Sequence, residues 1–341
     1  HWFGQRARAA VEEARASVAA LVGADPAEIV FTASGSESDN MALRGAAAKA
    51  VPARTGVACS AIEHHAVLNT AKAMRDEGRK AEIARVDERG VLDLTDLAAK
   101  VDDTTAVVSV MLANNETGTL QPVPEAAGIA RARGALVHCD AVQAAGKVPV
   151  DVRALDVDLL TLSAHKLYGP KGVGCLYVRR GTRMAPLVRG GGQERNRRAG
   201  TENVAGLVGF GVAAALAREG LEAEGARLAT LRDRLEGRLL AVPGALRNGG
   251  EPRLPNTANV SFEGTESEAL LIALDLEGIA VSTGAACAAG WVEPSHVLRA
   301  MGLPPERVQS SLRLSLGRGT TEADVDQAAE VITRAVARQR R

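Results

Sequence analysis

From Glu28 to about Val178 short apolar runs alternate with longer Ala/Arg/Glu stretches of helical period, the pattern of βαβ units built around a mostly parallel sheet. The runs Ile29–Thr32, Gly56–Ser60, Ala106–Met111, Ala135–Cys139, Leu159–Ser163 and Gly174–Val178 predict strands. Their nearly continuous apolar character fits strands covered on both faces. Helical patterns precede and follow the first strand, over Ala7–Val22 and Ser36–Lys49. Beyond the glycine-rich stretch Gly190–Gly200, residues Val204–Leu240 read as a long helical section. The remainder mixes expected strands (Thr257–Phe262, Ile279–Ser282, Ser311–Leu316) with expected helices (Ser267–Glu277, Pro294–Met301, Thr321–Arg338). The pattern divides the chain into a large α/β domain over residues 1–220 and a smaller α+β domain over 221–341, with no internal repeat.

Composition narrows the partners. The 341 residues carry 41 basic and 41 acidic side chains, a net charge of zero, so no global field holds a polyanion and neither nucleic acid nor an anionic membrane is expected as a partner. The longest apolar runs, such as that around Val107–Ala113, fall well short of the roughly 20 residues that span a bilayer. With no secretory signal at the start, the expected location is cytoplasmic. The opening His1-Trp2-Phe3-Gly4 lacks an initiator methionine, which suggests an N-terminus that was removed, is disordered or is unrecorded. Aromatic residues make up only 2%, so the core must come from Ala, Val and Leu with close backbone packing, which 35 glycines suit. Only seven basic residues are lysines, so a lysine in a special place stands out. The four cysteines have no C-x-x-C spacing, and reduced thiols without a zinc site or disulfide framework are expected.

In open α/β sheets ligands bind beyond the carboxyl ends of the strands, and each end here carries polar chemistry. Ser34-Gly35-Ser36-Glu37 opens the helix after the first strand; its free N–H groups suit a phosphate, and simple N-capping explains the same residues. There is no G-x-x-x-x-G-K-[ST] and no G-x-G-x-x-G after a strand, so ATP and dinucleotides lack their usual cradles. Asp140 follows an apolar strand, where it caps a loop or pairs with a protonated ring nitrogen. Lys166 sits just past the next strand beside His165, as a solvated loop residue or as a nucleophilic amine. A phosphate loop, a strand-end carboxylate and a strand-end lysine are together the parts of a pyridoxal 5'-phosphate (PLP) site. Cys287 lies among small residues in Ser282-Thr283-Gly284-Ala285-Ala286-Cys287-Ala288-Ala289-Gly290, which predicts an accessible loop, whereas Cys59, Cys139 and Cys175 sit in apolar strands as inert thiols. Arg313, on an otherwise apolar strand, suits a bidentate grip on a carboxylate or a structural ion pair.

Ser163-Ala164-His165-Lys166 followed by Tyr168-Gly169-Pro170-Lys171-Gly172 resembles the cofactor-lysine segment of fold-type I PLP enzymes of the class V aminotransferase group. The wider chain is similar to cysteine desulfurases of the NifS/IscS type through Phe31 to Asn40, Glu63 to Leu68, Asn114 to Gly118, His138 to Gln143, Gly190 to Glu194 and Arg198 to Thr201. The resemblance runs the length of the chain and implies the fold-type I architecture, a large PLP-binding domain plus a smaller α+β domain carrying the cysteine loop.

Carried over position by position, the resemblance implies that Lys166 holds PLP and shuttles the substrate α-proton, and that Asp140 pairs with the ring nitrogen. His64 would lie over the ring and serve as proton donor, and Gln143 would contact the phenolic oxygen. Gly35, Ser36, Ser163 and His165 would bind the phosphate, and Thr201 would add a phosphate contact from a neighbouring subunit, hence a homodimer. Asn115 would help place substrate and ring, Arg313 would hold the substrate carboxylate, and Cys287 would attack the sulfur of L-cysteine. Ser36 stands where the family usually has threonine, and Thr283, Ala285, Ala288 and Ala289 replace residues commonly serine or threonine. The implied reaction yields L-alanine and a Cys287 persulfide for sulfur-acceptor proteins of iron–sulfur cluster assembly or of tRNA and cofactor thiolation. The alternatives are a class V aminotransferase or selenocysteine lyase, and a non-catalytic scaffold on the same fold. A basic C-terminal stretch, Thr333 to Arg341, reads as a solvated helix end, and the resemblance connects that region with partner docking. It also implies a short active-site segment ahead of residue 1.

Overall fold

The computed structural model describes residues 1–50, 54–283 and 294–340. These fall into two compact units: residues 1–85, 92–112 and 121–221, and residues 86–91, 113–120 and 222–341. The sequence places a boundary after residue 220. The structure also gives 86–91 and 113–120 to the second unit, two short excursions that carry no shift in composition. The second is fixed there by backbone, since Leu254 N–H donates to Gly118 C=O and Leu120 N–H donates to Pro252 C=O.

The first unit contains a seven-stranded sheet in the order β1-β7-β6-β5-β4-β2-β3. Its strands are β1 (Ile29–Thr32), β2 (Gly56–Ser60), β3 (Ala81–Ala84), β4 (Thr105–Ser109), β5 (Leu136–Asp140), β6 (Leu159–Ser163) and β7 (Gly174–Val178). Every neighbouring pair is parallel except those made by β7, which runs against both β1 and β6. The helices are α1 (Trp2–Leu21), α2 (Gly35–Lys49), α3 (His65–Asp76), α4 (Leu94–Lys100), α5 (Val123–Ala132), the single turn α6 (Gln193–Asn196) and α7 (Val204–Glu219). Strands β1, β2, β4, β6 and β7 are buried at every position, as fully covered strands must be. Their core is aliphatic and sulfur-rich, with Val30, Met41, Leu43, Val57, Cys59, Met74, Val107, Leu159 and Leu176 packed together.

Strand β3 escapes sequence reading because Ala81-Glu82-Ile83-Ala84 is a half-exposed edge without an apolar run. The expected helical section from Val204 to Leu240 is two helices, α7 and α8 (Leu221–Leu240), interrupted at Gly220.

The second unit is an antiparallel three-stranded sheet in the order β10-β9-β8, made of β8 (Ala245–Arg247), β9 (Thr257–Phe262) and β10 (Ser311–Ser315). Its other elements are α8 from Glu222 on, α9 (Ser267–Leu276), α10 (His296–Ala300), α11 (Pro305–Gln309) and α12 (Glu322–Gln339). Leu231, Leu235, Phe262, Leu270, Leu312, Ile332 and Val336 form its core. The strand expected over Ile279–Ser282 is absent. Only Ser282 pairs, in an isolated bridge with Arg313, because the chain meets the β10 edge at that one residue.

Candidate active site

In the first unit the carboxyl ends of β1, β5 and β6 and the loop after β2 bring most of the expected residues to the same end of the sheet. Ser34 is extended (φ −170°, ψ 166°) and caps α2, its hydroxyl accepting from Glu37 N–H at 3.1 Å. Gly35 lies buried between strand ends: a Cβ there would meet Val142 Cγ2 at 3.0 Å and Ser163 Cβ at 3.5 Å. Gly174 of β7 backs the same loop, and a Cβ on it would fall 2.6 Å from the Ser34 carbonyl carbon and 2.9 Å from Leu162 O. Small residues at 35 and 174 therefore let the helix start press against the sheet, leaving Ser36 exposed at the open N-terminus of α2.

Asp140 ends β5 almost fully buried and accepts the Val142 N–H at 2.9 Å. Burial pushes its carboxyl up to about 6, against that hydrogen bond and the charge of Lys166, both of which pull it down. Lys166 lies in the 3-10 turn Ala164–Leu167 that follows β6, closed by Tyr168 in the left-handed region at φ 63°. His165 is exposed; Ser163, two residues earlier, is buried and bonds its Nδ1 at 2.9 Å. Burial, then the charges of Lys166, Lys171 and Lys147, lower the His165 pKa. His64 caps α3, its Nδ1 accepting the Ala66 N–H at 3.1 Å, so in the neutral ring the proton resides on Nε2. Gln143 is half-buried, and its carbonyl accepts from Lys147 Nζ at 2.8 Å. Thr201 is exposed, past a segment pinned to α1 and β1: Glu194 accepts from Arg15 at 2.7 and 2.8 Å and from Phe31 N–H at 2.9 Å.

Asn115 and Arg313 belong to the second unit. Arg313 Nη1 donates to Asn115 O at 3.2 Å, while Arg313 Nε and Asn115 Oδ1 are buried with no hydrogen-bond partner among the described residues. Orphaned donors and acceptors of this kind mark a place for a polar ligand. Cys287 lies outside the described residues. The other three cysteines are buried, and burial raises each thiol above its ordinary pKa, in keeping with inert core positions.

Buried groups that sequence reasoning gave no role surround Asp140. Asp39 of α2, Glu63 of the β2–α3 loop, His138 of β5 and Thr161 of β6 are all essentially inaccessible. For His138 and Thr161 the signal that could have found them is a polar residue two positions from the end of an apolar strand, and Glu63 follows β2 by three residues; burial of Asp39 on a helix is not written in local sequence.

The aminotransferase class-V family profile matches residues 1–328. A cysteine desulfurase of Nostoc sp. is 49% identical over 342 aligned residues, covering 100% of this chain and 85% of that protein. The cysteine desulfurase NifS of Azotobacter vinelandii is 48% identical, again covering 100% of this chain and 85% of the relative. A solved NifS-like protein superposes with a TM-score of 0.92 at 39% identity, over 99% of this chain and 90% of its own. The chain belongs to the aminotransferase class-V family and, within it, to the cysteine desulfurases of the NifS/IscS type. Its fold is that of the fold-type I PLP enzymes, and its reaction is the desulfuration of L-cysteine.

Proposed function

We propose that this chain holds PLP at Lys166, removes sulfur from L-cysteine, releases L-alanine and carries the sulfur as a persulfide on Cys287. The observation that carries the cofactor assignment is that buried Asp140 and Lys166 stand at adjacent strand ends, close enough for the Lys166 charge to act on the carboxyl, beside the open N-terminus of α2. The residues fit the group. The N–H groups of Gly35 and Ser36, with Ser163 and His165, supply donors for a phosphate, and a Cβ at Gly35 would crowd Val142 beside that cradle. Asp140 supplies a buried anion whose natural partner is a protonated ring nitrogen. Bound there, PLP would supply an electron sink for the carbanion formed at the substrate Cα.

The chain's own groups do the rest. The Lys166 amine takes the proton from Cα, and the Asp140 carboxylate holds the proton on the ring nitrogen. Gln143 donates to the phenolic oxygen, with its backbone steadied by Lys147. Arg313 grips the substrate carboxylate through donors that include its unpartnered Nε, and Asn115 offers its unpartnered Oδ1 to the substrate ammonium. The Cys287 thiolate attacks the substrate Sγ. The S–S bond forms as the Cβ–S bond breaks, the bonding pair stays with the three-carbon fragment, and protonation from His64 Nε2–H completes alanine. The products are L-alanine and Cys287–S–S⁻, and the outer sulfur passes to a thiol of an acceptor protein. We propose a cytoplasmic homodimer in which Thr201 of one subunit reaches the phosphate of the other.

The test is Cys287→Ala. It should bind PLP and L-cysteine as the native enzyme does, with a spectral change on adding L-cysteine, yet release neither sulfide nor stoichiometric alanine. Full desulfurase activity in this variant would overturn the Cys287 assignment, and loss of cofactor trapping on Lys166 by borohydride would overturn the cofactor assignment.

A further inference from the structure

Behind Asp140 runs a buried polar chain that the roles above leave unused. Strand register sets Ser109 of β4 opposite His138 of β5, and Asp140 of β5 opposite Thr161 of β6, so the four side chains share one face of the sheet. Helix α2 lies on that face, since a Cβ at Gly35 would meet both Thr161 Cγ2 and Ser163 Cβ. One turn further along, the helix brings Asp39 to the same place. Ser109 Oγ bonds His138 Nδ1 at 2.8 Å and Thr161 Oγ1 bonds Nε2 at 3.0 Å, while Asp39 Oδ1 lies 3.6 Å from Nε2. Ser109, His138 and Thr161 are 0% exposed and Asp39 1%.

Asp39 Oδ1 has no hydrogen-bond partner, and no lysine or arginine pairs with Asp39 among the described residues. A carboxylate so placed would be an uncompensated charge in a low-dielectric interior, a state that a protein avoids by leaving the proton on. The groups that face it lead to the same result. Asp140 and Glu63 are acids, His138 is held neutral by burial, which pushes it down to about 3, and the Thr161 hydroxyl alone favours the ionised form. Burial first, and the charge of Asp140 second, raise the Asp39 pKa well above its ordinary value. Asp140 is better supplied: it has the Val142 N–H at 2.9 Å and the charge of Lys166. Two carboxyls sharing a dry site do not both ionise, and the charge goes to the better-supported one.

We infer that Asp39 is a positioning residue of the cofactor site, the neutral member of a buried carboxyl pair that leaves Asp140 as the charged one facing the cofactor's ring nitrogen. The hydrogen-bonded run Ser109–His138–Thr161 fixes its place without adding charge. The inference rests on the reading of Asp140 as the ring-nitrogen partner, and the two are separable by experiment.

The test uses purified holoenzyme with Asp39→Asn and Asp140→Asn. Infrared spectroscopy at neutral pH should show a protonated-carboxyl stretching signal that Asp39→Asn removes, distinct from the one that Glu63→Gln removes. Replacing a neutral acid by a neutral amide should move the pH midpoint of the lysine-bound cofactor's absorbance by less than ~0.3 units, whereas removing a buried charge moves it by about a unit or more. Thr161→Val removes the one hydroxyl that favours the Asp39 carboxylate, so the carboxyl signal should persist to higher pH. The inference is overturned by an Asp39→Asn shift of a unit or more, by survival of every carboxyl signal in that variant, or by earlier loss of the signal in Thr161→Val. An unchanged absorbance titration in Asp140→Asn instead overturns the ring-nitrogen reading, while the infrared result still decides whether Asp39 is neutral.

Discussion

Removing the carboxylate of Glu194 tests how the glycine-rich segment after β7 is held. Glu194, Arg195 and Asn196 all adopt left-handed backbone, with φ of 45°, 57° and 64°, a run that non-glycine residues avoid and that must be imposed by surrounding contacts. The contact is a buried bidentate pair. Arg15 and Glu194 side chains are 4% and 5% exposed, and the same carboxylate takes the Phe31 N–H at the end of β1. Burial works against the Arg15 charge, but the bond to Glu194 and its charge outweigh that and raise the pKa. Glu194→Ala strands a buried guanidinium that keeps Ile29 O, the half-exposed Glu12 and the Phe31 ring 4.6 Å away but no buried counter-charge, and it leaves the Phe31 N–H unpaired. Breaking one side of a buried pair costs about 3–5 kcal/mol. At roughly 2–4 °C per kcal/mol for a unit of this size, the melting midpoint should fall by about 10 °C. Arg15→Met combined with Glu194→Leu removes both charges and should recover a large part of the loss. Calorimetry of Arg15→Met, Glu194→Leu and the double variant, beside Glu194→Ala, checks the cycle. A shift below about 3 °C for Glu194→Ala, or strictly additive losses in the double variant, would refute the account.

Further expectations follow from the same contacts. Burial raises Glu63 to about 8 from an ordinary 4.5, so between these values the folded protein binds a proton that the unfolded chain has lost, and stability falls as pH rises. Glu63→Gln removes that slope, and the apo variant should gain up to about 1.4 kcal/mol per pH unit relative to native between pH 6 and 8; parallel pH–melting curves would contradict this. Gly174→Ala forces a methyl to 2.6 Å from the Ser34 carbonyl carbon, where no flexible side chain can yield; overpacking of about 1–3 kcal/mol and PLP affinity at least about tenfold weaker should appear in melting and cofactor titration. Arg313→Gln should raise the KM for L-cysteine by about ten- to a hundredfold, leaving cofactor absorbance unchanged, because hydrogen bonds to a charged group contribute about 1.5–3 kcal/mol; an unchanged KM would remove Arg313 from substrate binding.

Much of the sheet was legible because strands buried on both faces are written as unbroken apolar runs whichever way they pair: β1, β2, β6 and β7 begin and end where the sequence pattern puts them. Edge strands β3 and β8 were not legible, since an edge needs no apolar run, and Ile279–Ser282 looks like a strand but meets a partner only at Ser282. Lys166 and Asp140 stood out because a lone lysine and a lone carboxylate at strand ends contradict their surroundings. Asp39 did not, because Glu37-Ser38-Asp39 is what an ordinary helix start looks like, acids near the positive end of the dipole. Its distinction, burial against His138, arises only when α2 packs on β5 and β6.

The segment leading to Thr201 is tied to the elements on either side of the loop that precedes α2. Glu194 takes the Phe31 N–H, and Arg198 donates to Glu37 at 2.8 and 3.2 Å. Glu37 in turn accepts the Ala33 N–H at 2.9 Å and donates its own N–H to Ser34. The segment is therefore tied to both flanks of Ser34–Ser36 through the Glu194, Arg198 and Glu37 side chains, with Glu194 and Glu37 each ending on a backbone N–H there. This makes the two perturbations of that loop comparable. Gly174→Ala pushes it from the sheet side and Glu194→Ala releases it from the opposite flank, so both should weaken PLP retention. Only the second should be repaired by removing Arg15 as well, because only there does an unpaired buried charge cause the loss.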